Sequence, residues 1–169
     1  MLKTDARKKA LISRKTKDSL HASKVVVDKI ISSGILKNYS NIGIYYPIGT
    51  EINIMDIMKY YPDKSFYLPI TKDEIAFIKY EASDLLTNGP FKTMEPIGKI
   101  VSKEQIDCYI IPCVAISKDS KRLGYGKGYY DRYLENYQGY KIGICYKDFN
   151  NIDFEADSFD VKLDLVITD

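Results

Sequence analysis

The segment DCYIIPCVAISKDSKRLGYGKGYYDRYLENYQGYKIGICY, residues 107–146, decides the fold. It opens with an apolar run at 107–117, whose β-branched and aromatic residues are typical of a buried strand. A glycine-rich loop follows, and then a helical pattern in YYDRYLENY and a second apolar strand in KIGICY at 141–146. A strand, a helix and another strand in this order form the unit from which parallel sheets are built.

The first part of the chain predicts two helices. Helical periodicity runs from Leu2 to Ser33, with a break near Thr16 to Asp18 and a stop at SSG, residues 32–34. An apolar stripe is predicted along the second helix from four residues: Leu20, Val27, Ile30 and Ile31.

Strands and helices alternate again after this region. Four further strands are predicted: NIGIYYP at 41–47, SFYLPI at 65–70, EIAFIKY at 74–80 and LDLVIT at 163–168. INIMDIMKYY at 52–61 predicts one more helix, and DLLTNGPFKTMEPIG at 84–98 has the composition of a turn-rich loop. This order predicts an α/β fold: a single domain over residues 1–169, built as a three-layer sandwich with a mostly parallel central sheet flanked by helices.

Composition excludes several classes of protein. Apolar residues make up 45% and charged residues 28% of the chain, as in ordinary soluble domains, and a net charge of +2 does not by itself indicate nucleic acid. No run of about 18 apolar residues and no leader pattern is present, so we expect a cytoplasmic protein without a membrane partner. The three cysteines, Cys108, Cys113 and Cys145, have no CxxC spacing, which argues against disulfides and a zinc site.

The glycine-rich loop is the first candidate for a binding site. Gly124, Gly126 and Gly128 alternate, which permits positive φ angles and lets backbone N–H groups approach a ligand. A loop of this kind that opens into a helix favours phosphate. The spacing fits neither the dinucleotide-binding G-x-G-x-x-G pattern nor the Walker pattern. A glycine-rich turn that only packs tyrosines is the structural alternative.

Charged residues around these glycines support the phosphate interpretation. Arg122 and Lys127 can donate charge-assisted hydrogen bonds to phosphate oxygens. Asp131 follows in the first helical turn, where a carboxylate can stabilise the helix end or hold Mg²⁺ beside a polyphosphate. The first 17 residues carry seven cations against one acid, and most of these cations are expected to form a solvated helix face.

RLGYGKGYYDRYL at 122–134 closely resembles the signature of the 5-formyltetrahydrofolate cyclo-ligase family, also called 5,10-methenyltetrahydrofolate synthetases. Three other segments are similar to the family: YYPIGTEIN at 45–53, FKTMEP at 91–96 and DVKLDLVITD at 160–169. Lys3 and Arg7, at helical i,i+4 spacing, match its basic N-terminal start. The resemblance spans nearly the whole chain, and the glycine motif is its most specific part.

The resemblance implies an enzyme that uses ATP and Mg²⁺ to convert 5-formyltetrahydrofolate into 5,10-methenyltetrahydrofolate, with release of ADP and phosphate. In the family, the γ-phosphoryl group passes to the formyl oxygen, N10 closes the ring and phosphate leaves. It also implies a fold similar to the NagB/RpiA/CoA-transferase-like fold, a monomer, and a folate substrate with or without a polyglutamate tail.

The resemblance further assigns roles to individual residues. The catalytic residues would be Arg122, Lys127 and Tyr129. The ATP site would comprise Lys3, Arg7, Arg122, Leu123, Gly124, Tyr125, Gly126, Lys127, Gly128, Tyr129 and Tyr130. The folate site would comprise Tyr46, Glu51, Tyr125, Gly126, Lys127, Gly128 and Tyr129. The magnesium ligands would be Asp131 and Asp164.

Some of these residues have structural interpretations as well. Glu51 stands just before an apolar helical pattern, Asp164 begins a strand, and Tyr46 could equally be a core aromatic residue. The chain also departs from the family at Phe159, where relatives commonly carry a histidine before the aspartate.

Two other functions are compatible with the sequence. One is an ATP-dependent phosphotransferase that acts on another pterin-like or one-carbon substrate through the same nucleotide site. The other is a non-catalytic nucleic-acid-binding module in which the basic helix contacts phosphates and tyrosines stack on bases. Asp131, Asp164 and Glu51 argue against the second function, because acids in such a groove repel a polyanion.

Overall fold

A central sheet of seven strands organises the chain in the computed structural model, which describes all residues from 1 to 169. The helices are α1 (Lys3–Arg14), α2 (Ser19–Ser33), α3 (Ile57–Tyr60) and α4 (Tyr129–Tyr133). The strands are β1 (Asn41–Gly43), β2 (Ser65–Thr71), β3 (Ile75–Tyr80), β4 (Leu86–Asn88), β5 (Met94–Pro96), β6 (Ile100–Val101), β7 (Cys108–Pro112), β8 (Ala115–Ile116), β9 (Arg122–Leu123), β10 (Tyr140–Cys145) and β11 (Leu165–Thr168).

The order of strands in the sheet is β11-β10-β7-β1-β2-β3-β6. The first five pair in parallel, whereas β3 and β6 are antiparallel to their neighbours. Helices cover both faces: α2 packs through Val26 and Ile30 on one side, and α4 packs through Tyr130 on the other. The mixed α/β class and the mostly parallel sheet between helical layers are therefore confirmed. Two short hairpins, β4–β5 and β8–β9, lie outside this sheet.

Several predicted elements are shorter in the structure. Of the helix predicted at 52–61, only α3 forms, because the Asn53 side chain accepts a hydrogen bond from the Met55 N–H at 2.9 Å and competes with the helical pattern. The predicted loop at 84–98 contains the β4–β5 hairpin. Helix α4 ends before Asn136, which has a φ of +61°.

The break between the first two helices is where the sequence predicts it. Asp18 caps α2, and its carboxylate accepts a hydrogen bond from the His21 N–H at 3.1 Å. The predicted stripe is wrong at Leu20, which is 84% exposed, whereas the predicted Val27 and Ile30 are buried, together with Ala22 and Val26. No helix has the combination of length and apolar character needed to cross a membrane. All three cysteines are buried and free.

Candidate active site

A cavity of about 560 Å³ lies at the carboxyl ends of the parallel strands. The segment that follows β1 and the last residues of β7 and β2 reach it through Tyr45, Pro112 and Thr71. Ligand sites in parallel α/β sheets are found at this edge, and the volume suits a small-molecule ligand. The cavity brings together every predicted site residue except Asp164: Lys3, Arg7, Tyr46, Glu51, Arg122, Leu123, Gly124, Tyr125, Gly126, Lys127, Gly128, Tyr129, Tyr130 and Asp131.

The glycines of the loop are required for two different reasons. Gly126 and Gly128 have φ angles of +102° and +72°, which other L-residues rarely adopt. Gly124 is needed for space, because a Cβ atom at this position would lie 2.6 Å from Nη1 of Arg122. Helix α4, which follows, has only five residues, so its N-terminal dipole contributes less than the sequence suggests. The side-chain cations and backbone donors of the loop therefore carry the attraction for an anion.

Helix α1 contributes two cations to the cavity wall. Nε of Arg7 donates to the Gly124 carbonyl oxygen at 2.7 Å and so joins the helix to the glycine loop. Nζ of Lys3 lies 2.5 Å from a carboxylate oxygen of Asp157 and also contacts Asp160. Burial lowers the pKa of Lys3, but the hydrogen bonds to the two aspartates outweigh this effect, and its pKa is raised. Lys3 therefore stays charged.

Arg122 and Lys127 lie in different environments. Arg122 is buried: its Nε donates to the Pro112 carbonyl oxygen at 2.8 Å, and its guanidinium lies 4.6 Å from the centre of the Tyr130 ring. Lys127 is exposed, with its ammonium 5.4 Å from the centre of the Phe91 ring. Arg122 thus presents a fixed charge and Lys127 a movable one.

The two predicted metal ligands are not brought together. Asp131 lines the cavity, and its Oδ1 accepts a hydrogen bond from the Val161 N–H at 3.0 Å. Asp164 stands before β11 outside the cavity, where its Oδ2 accepts from the Lys141 N–H at 2.8 Å and lies 3.6 Å from the Lys141 ammonium. No group of three or more metal-ligating side chains is present. The structure thus differs from the predicted pair, because Asp164 precedes β11 and lies at the amino ends of the parallel strands, whereas the cavity lies at their carboxyl ends.

Glu51 is the buried carboxylate of the site, with 7% of its surface exposed. Its Oε1 accepts a hydrogen bond from the Ile48 N–H at 2.7 Å, and its Oε2 accepts one from the Tyr125 hydroxyl at 3.1 Å. Burial raises the pKa of Glu51; the Ile48 N–H, Arg14 and Tyr125 partly oppose this rise. Burial and the nearby Glu51 also raise the pKa of Tyr125 to about 12. Tyr46, which also lines the cavity, is exposed.

Three further residues lie at the site that are not predicted as site residues from the sequence. Arg14, expected on a solvated face, is buried and hydrogen bonded to Tyr125. Its spacing of seven residues from Arg7 places both on one face of α1, which is the signal that could have identified it. Asp160 is buried at the cavity wall, and Phe91 lines the cavity from a loop whose positive φ angle gives no sequence signal.

Phe159 occupies the position where relatives commonly have histidine. Its ring borders the cavity, 68% exposed, with its centre 5.4 Å from the Lys3 ammonium. A neutral ring therefore faces the cation at this point, and no imidazole is available there.

Comparison with known proteins identifies the family that this chain resembles. The model of the 5-formyltetrahydrofolate cyclo-ligase family matches residues 3–169. A 5-formyltetrahydrofolate cyclo-ligase of Mycoplasma pneumoniae is 42% identical over 135 residues, covering 76% of this chain and 72% of the relative. The enzyme of the same name from Mycoplasma genitalium is 30% identical over 171 residues, covering 98% of this chain and 96% of the relative.

Solved structures show the same similarity. The 5,10-methenyltetrahydrofolate synthetase of Aquifex aeolicus superposes with a TM-score of 0.85 at 30% identity, covering 99% of this chain and 89% of its own. The synthetase of Mycoplasma pneumoniae gives a TM-score of 0.80 at 33% identity, covering 99% of both chains. The chain therefore belongs to the 5-formyltetrahydrofolate cyclo-ligase family.

Proposed function

We propose that this protein converts 5-formyltetrahydrofolate into 5,10-methenyltetrahydrofolate with consumption of ATP. The observation that carries the proposal is that one cavity is lined both by a cationic glycine loop region and by an aromatic ring with a buried carboxylate. We call the part of the cavity lined by Lys3, Arg7 and the glycine loop its cationic side, and the part lined by Tyr46 and the buried Glu51, which Tyr125 of that loop contacts, its other side. A polyphosphate fits the first side, and a ring system with hydrogen-bond donors fits the second.

The cationic side is the proposed site of the ATP phosphates. Arg7, Arg122 and Lys127 can neutralise phosphate charge, Lys3 would do so by exchanging Asp157 and Asp160 for phosphate oxygens, and backbone N–H groups from Leu123 to Tyr130 can add hydrogen bonds. Phosphoryl transfer requires little covalent chemistry from the protein, so the position and charge of these groups would supply most of the rate. Tyr129 and Tyr130 would exclude water from the reacting atoms.

Asp131 is the proposed protein ligand for Mg²⁺. Its carboxylate lies on the cavity wall beside the glycine loop and accepts one protein hydrogen bond, from Val161. This fits Mg²⁺, which is commonly held by one or two carboxylates together with phosphate oxygens and water. When bound, Mg²⁺ would neutralise charge on the transferring phosphoryl group. Asp164 is not part of this proposal, because it lies outside the cavity, at the amino ends of the parallel strands.

The other side of the cavity is the proposed folate site. Glu51, as a carboxylate, can accept hydrogen bonds from N–H groups of a pterin ring, and Tyr46 can contact the ring. The formyl oxygen would attack the γ-phosphorus of ATP, and ADP would leave. N10 would then attack the formyl carbon and lose its proton, while the C–O bond breaks and the oxygen leaves within phosphate.

We further propose that residues 1–169 act as one domain, as a monomer in the cytoplasm. One sheet receives strands from residue 41 to residue 168, which supports one domain. The three free, buried cysteines are in keeping with a reducing compartment.

An absorbance assay tests the proposed function. Purified protein is incubated with 5-formyltetrahydrofolate, and the methenyl product is followed with and without ATP and Mg²⁺. We expect product only when both are present. Binding of ATP without formation of the methenyl product would instead point to a phosphotransferase that acts on another substrate, and the proposal would be wrong.

A further inference from the structure

Arg14, the last residue of α1, joins two loops of the cavity. Only 6% of its surface is exposed. Its Nε donates to the Thr50 hydroxyl oxygen at 3.0 Å, and its Nη2 donates to the Tyr125 hydroxyl oxygen at 2.5 Å. Thr50 lies in the loop after β1, and Tyr125 lies at the centre of the glycine loop. A single guanidinium therefore links the proposed folate side of the cavity to the proposed nucleotide side.

Tyr125 continues this link to Glu51. The Tyr125 hydroxyl accepts from Arg14 and donates to Oε2 of Glu51 at 3.1 Å, while its ring forms part of the cavity wall. Both hydrogen bonds require the centre of the glycine loop to lie in its present position. Movement of the glycine loop would therefore change the hydrogen bonding of Glu51 through the Tyr125 hydroxyl.

The folate-side loop is fixed independently of the glycine loop. The Tyr146 hydroxyl donates to the Thr50 carbonyl oxygen at 2.7 Å, and the Tyr45 hydroxyl donates to the Ile52 carbonyl oxygen at 2.6 Å. A second cavity, bordered by Arg14 and Glu51, has a volume of only about 10 Å³, enough for about one water molecule. The guanidinium therefore has little room to withdraw, whereas the glycine loop has conformational freedom.

We propose that Arg14 is a positioning residue that makes the binding of nucleotide and folate mutually dependent. This inference rests on the proposed function of the two sides of the cavity. A nucleotide that orders the glycine loop would hold the Tyr125 hydroxyl on Glu51 and prepare the folate side. Folate bound at Glu51 would favour the same loop position, and the two effects on affinity must be equal because linkage is reciprocal.

Calorimetry measures this dependence directly. The dissociation constant of 5-formyltetrahydrofolate is determined with and without a non-hydrolysable ATP analogue and Mg²⁺. In the wild-type protein we expect folate to bind at least ~5-fold more tightly with the analogue, the lower end of typical coupling between sites. Tyr125→Phe retains the ring but removes the hydroxyl, and its ratio of dissociation constants should fall to about 1, since the link that carries the coupling is lost.

Variants of Arg14 separate positioning from a merely structural role. Arg14→Gln should also give a ratio of about 1, and adding Tyr125→Phe to it should change the ratio no further, since both act through the same contact. Arg14→Lys retains the charge but not the planar fork that reaches both hydroxyls, so it should restore part of the coupling. Lys15→Gln, which removes the neighbouring exposed cation, is the matched control and should keep the wild-type ratio.

A wild-type ratio of 1, or a Tyr125→Phe protein with the wild-type ratio, would overturn the inference. If Arg14→Gln does not fold, Tyr125→Phe decides the question, because it removes one hydroxyl from a partly exposed side chain. The turnover assay keeps the two proposals separate. Coupled binding in a protein without turnover would refute only the proposed function, whereas turnover with uncoupled binding would refute only the role of Arg14.

Discussion

Asp131 and Glu51 are carboxylates of one cavity with different surroundings. Asp131 is half-buried and accepts one hydrogen bond, from a backbone N–H. Glu51 is buried and accepts hydrogen bonds from a backbone N–H and from the Tyr125 hydroxyl. Asp131 can therefore bind a cation that also keeps water or phosphate ligands. The buried Glu51 is better suited to accept a hydrogen bond from a neutral donor group.

Replacement of Asp131 by asparagine tests its proposed role. Asp131→Asn retains size and the Val161 contact but removes the charge, so kcat should fall at least ~100-fold, as when one electrostatic group is lost from a transition state. Steady-state kinetics measure the loss, and circular dichroism confirms folding. Asp164→Asn is the matched control and should stay within about twofold of wild type, because its contacts lie outside the cavity. Equal losses in both variants would contradict this placement of the metal.

Glu51 should reduce stability at neutral pH while supporting binding. Burial raises its folded-state pKa above the ordinary value of 4.5. Between these two pKa values the folded protein binds more protons than the unfolded chain, so this contribution to stability falls as pH rises through the window. Glu51→Gln should therefore unfold at an equal or higher denaturant concentration at pH 7, with a flatter dependence of stability on pH.

The same variant should bind folate at least ~10-fold more weakly, because a hydrogen bond to a charged group is lost. Denaturant titrations across the pH range and a folate binding isotherm measure the two effects. A Glu51→Gln protein that is less stable at pH 7 and keeps the wild-type pH dependence would contradict this account of Glu51.

The sequence predicts the residues of the glycine motif because their spacing is local. Arg14 and Asp160 are different, since each gains its surroundings from distant segments: Arg14 from Thr50 and Tyr125, and Asp160 from Lys3. A charge pattern alone favours a solvated face for Arg14. Asp164 lies outside the cavity, and its contact with Lys141 could not be predicted, because it forms only when β10 and β11 pair.

At the scale of elements, the glycine loop depends on its backbone conformation. Gly126 has a φ of +102°, and a Cβ atom there would lie 3.4 Å from Cζ of Arg7. Gly126→Ala should shift the loop and raise the KM for ATP by ~10-fold or more, since strain of ~1–3 kcal/mol must be relieved. Gly34→Ala, at a φ of +66° in the cap of α2, is the control. It should lower stability by a similar amount and leave the KM unchanged; a raised KM in Gly34→Ala would contradict a local effect.

The type of each long element follows from its periodicity, whereas its length does not. Strands β2, β3 and β10 form where alternation or apolar runs predict them. Helix α3 begins late because Asn53 forms a local hydrogen bond, and α4 stops early, before Asn136 adopts a positive φ angle. In both cases a single asparagine limits the helical pattern through its own conformation. The sequence is compatible with a helical and with a non-helical conformation at each of these residues.

In the whole molecule, α1 completes the cavity by packing across the glycine loop. Ala6 packs with Ala115 and Leu123, and Arg7 binds the Gly124 carbonyl oxygen. Opening of α1 would therefore remove part of the proposed ATP site. Nucleotide should slow amide hydrogen exchange in residues 3–14, by up to ~100-fold at a concentration of 100 Kd.

Helix α2 provides the internal control for this exchange experiment. It packs on the sheet through Val26 and Ile30 and does not line the cavity. Its amides should change little on addition of an ATP analogue and Mg²⁺. Unchanged exchange throughout α1 would show that the helix is not part of the nucleotide site.

The most direct test of the central claim follows the formyl oxygen. 5-Formyltetrahydrofolate labelled with ¹⁸O in the formyl group is converted in the presence of ATP and Mg²⁺, and the released phosphate is analysed by mass spectrometry. If the formyl oxygen accepts the phosphoryl group, each phosphate released with the methenyl product carries one ¹⁸O atom, and ADP carries none. Unlabelled phosphate formed together with the methenyl product would contradict phosphoryl transfer to the formyl oxygen.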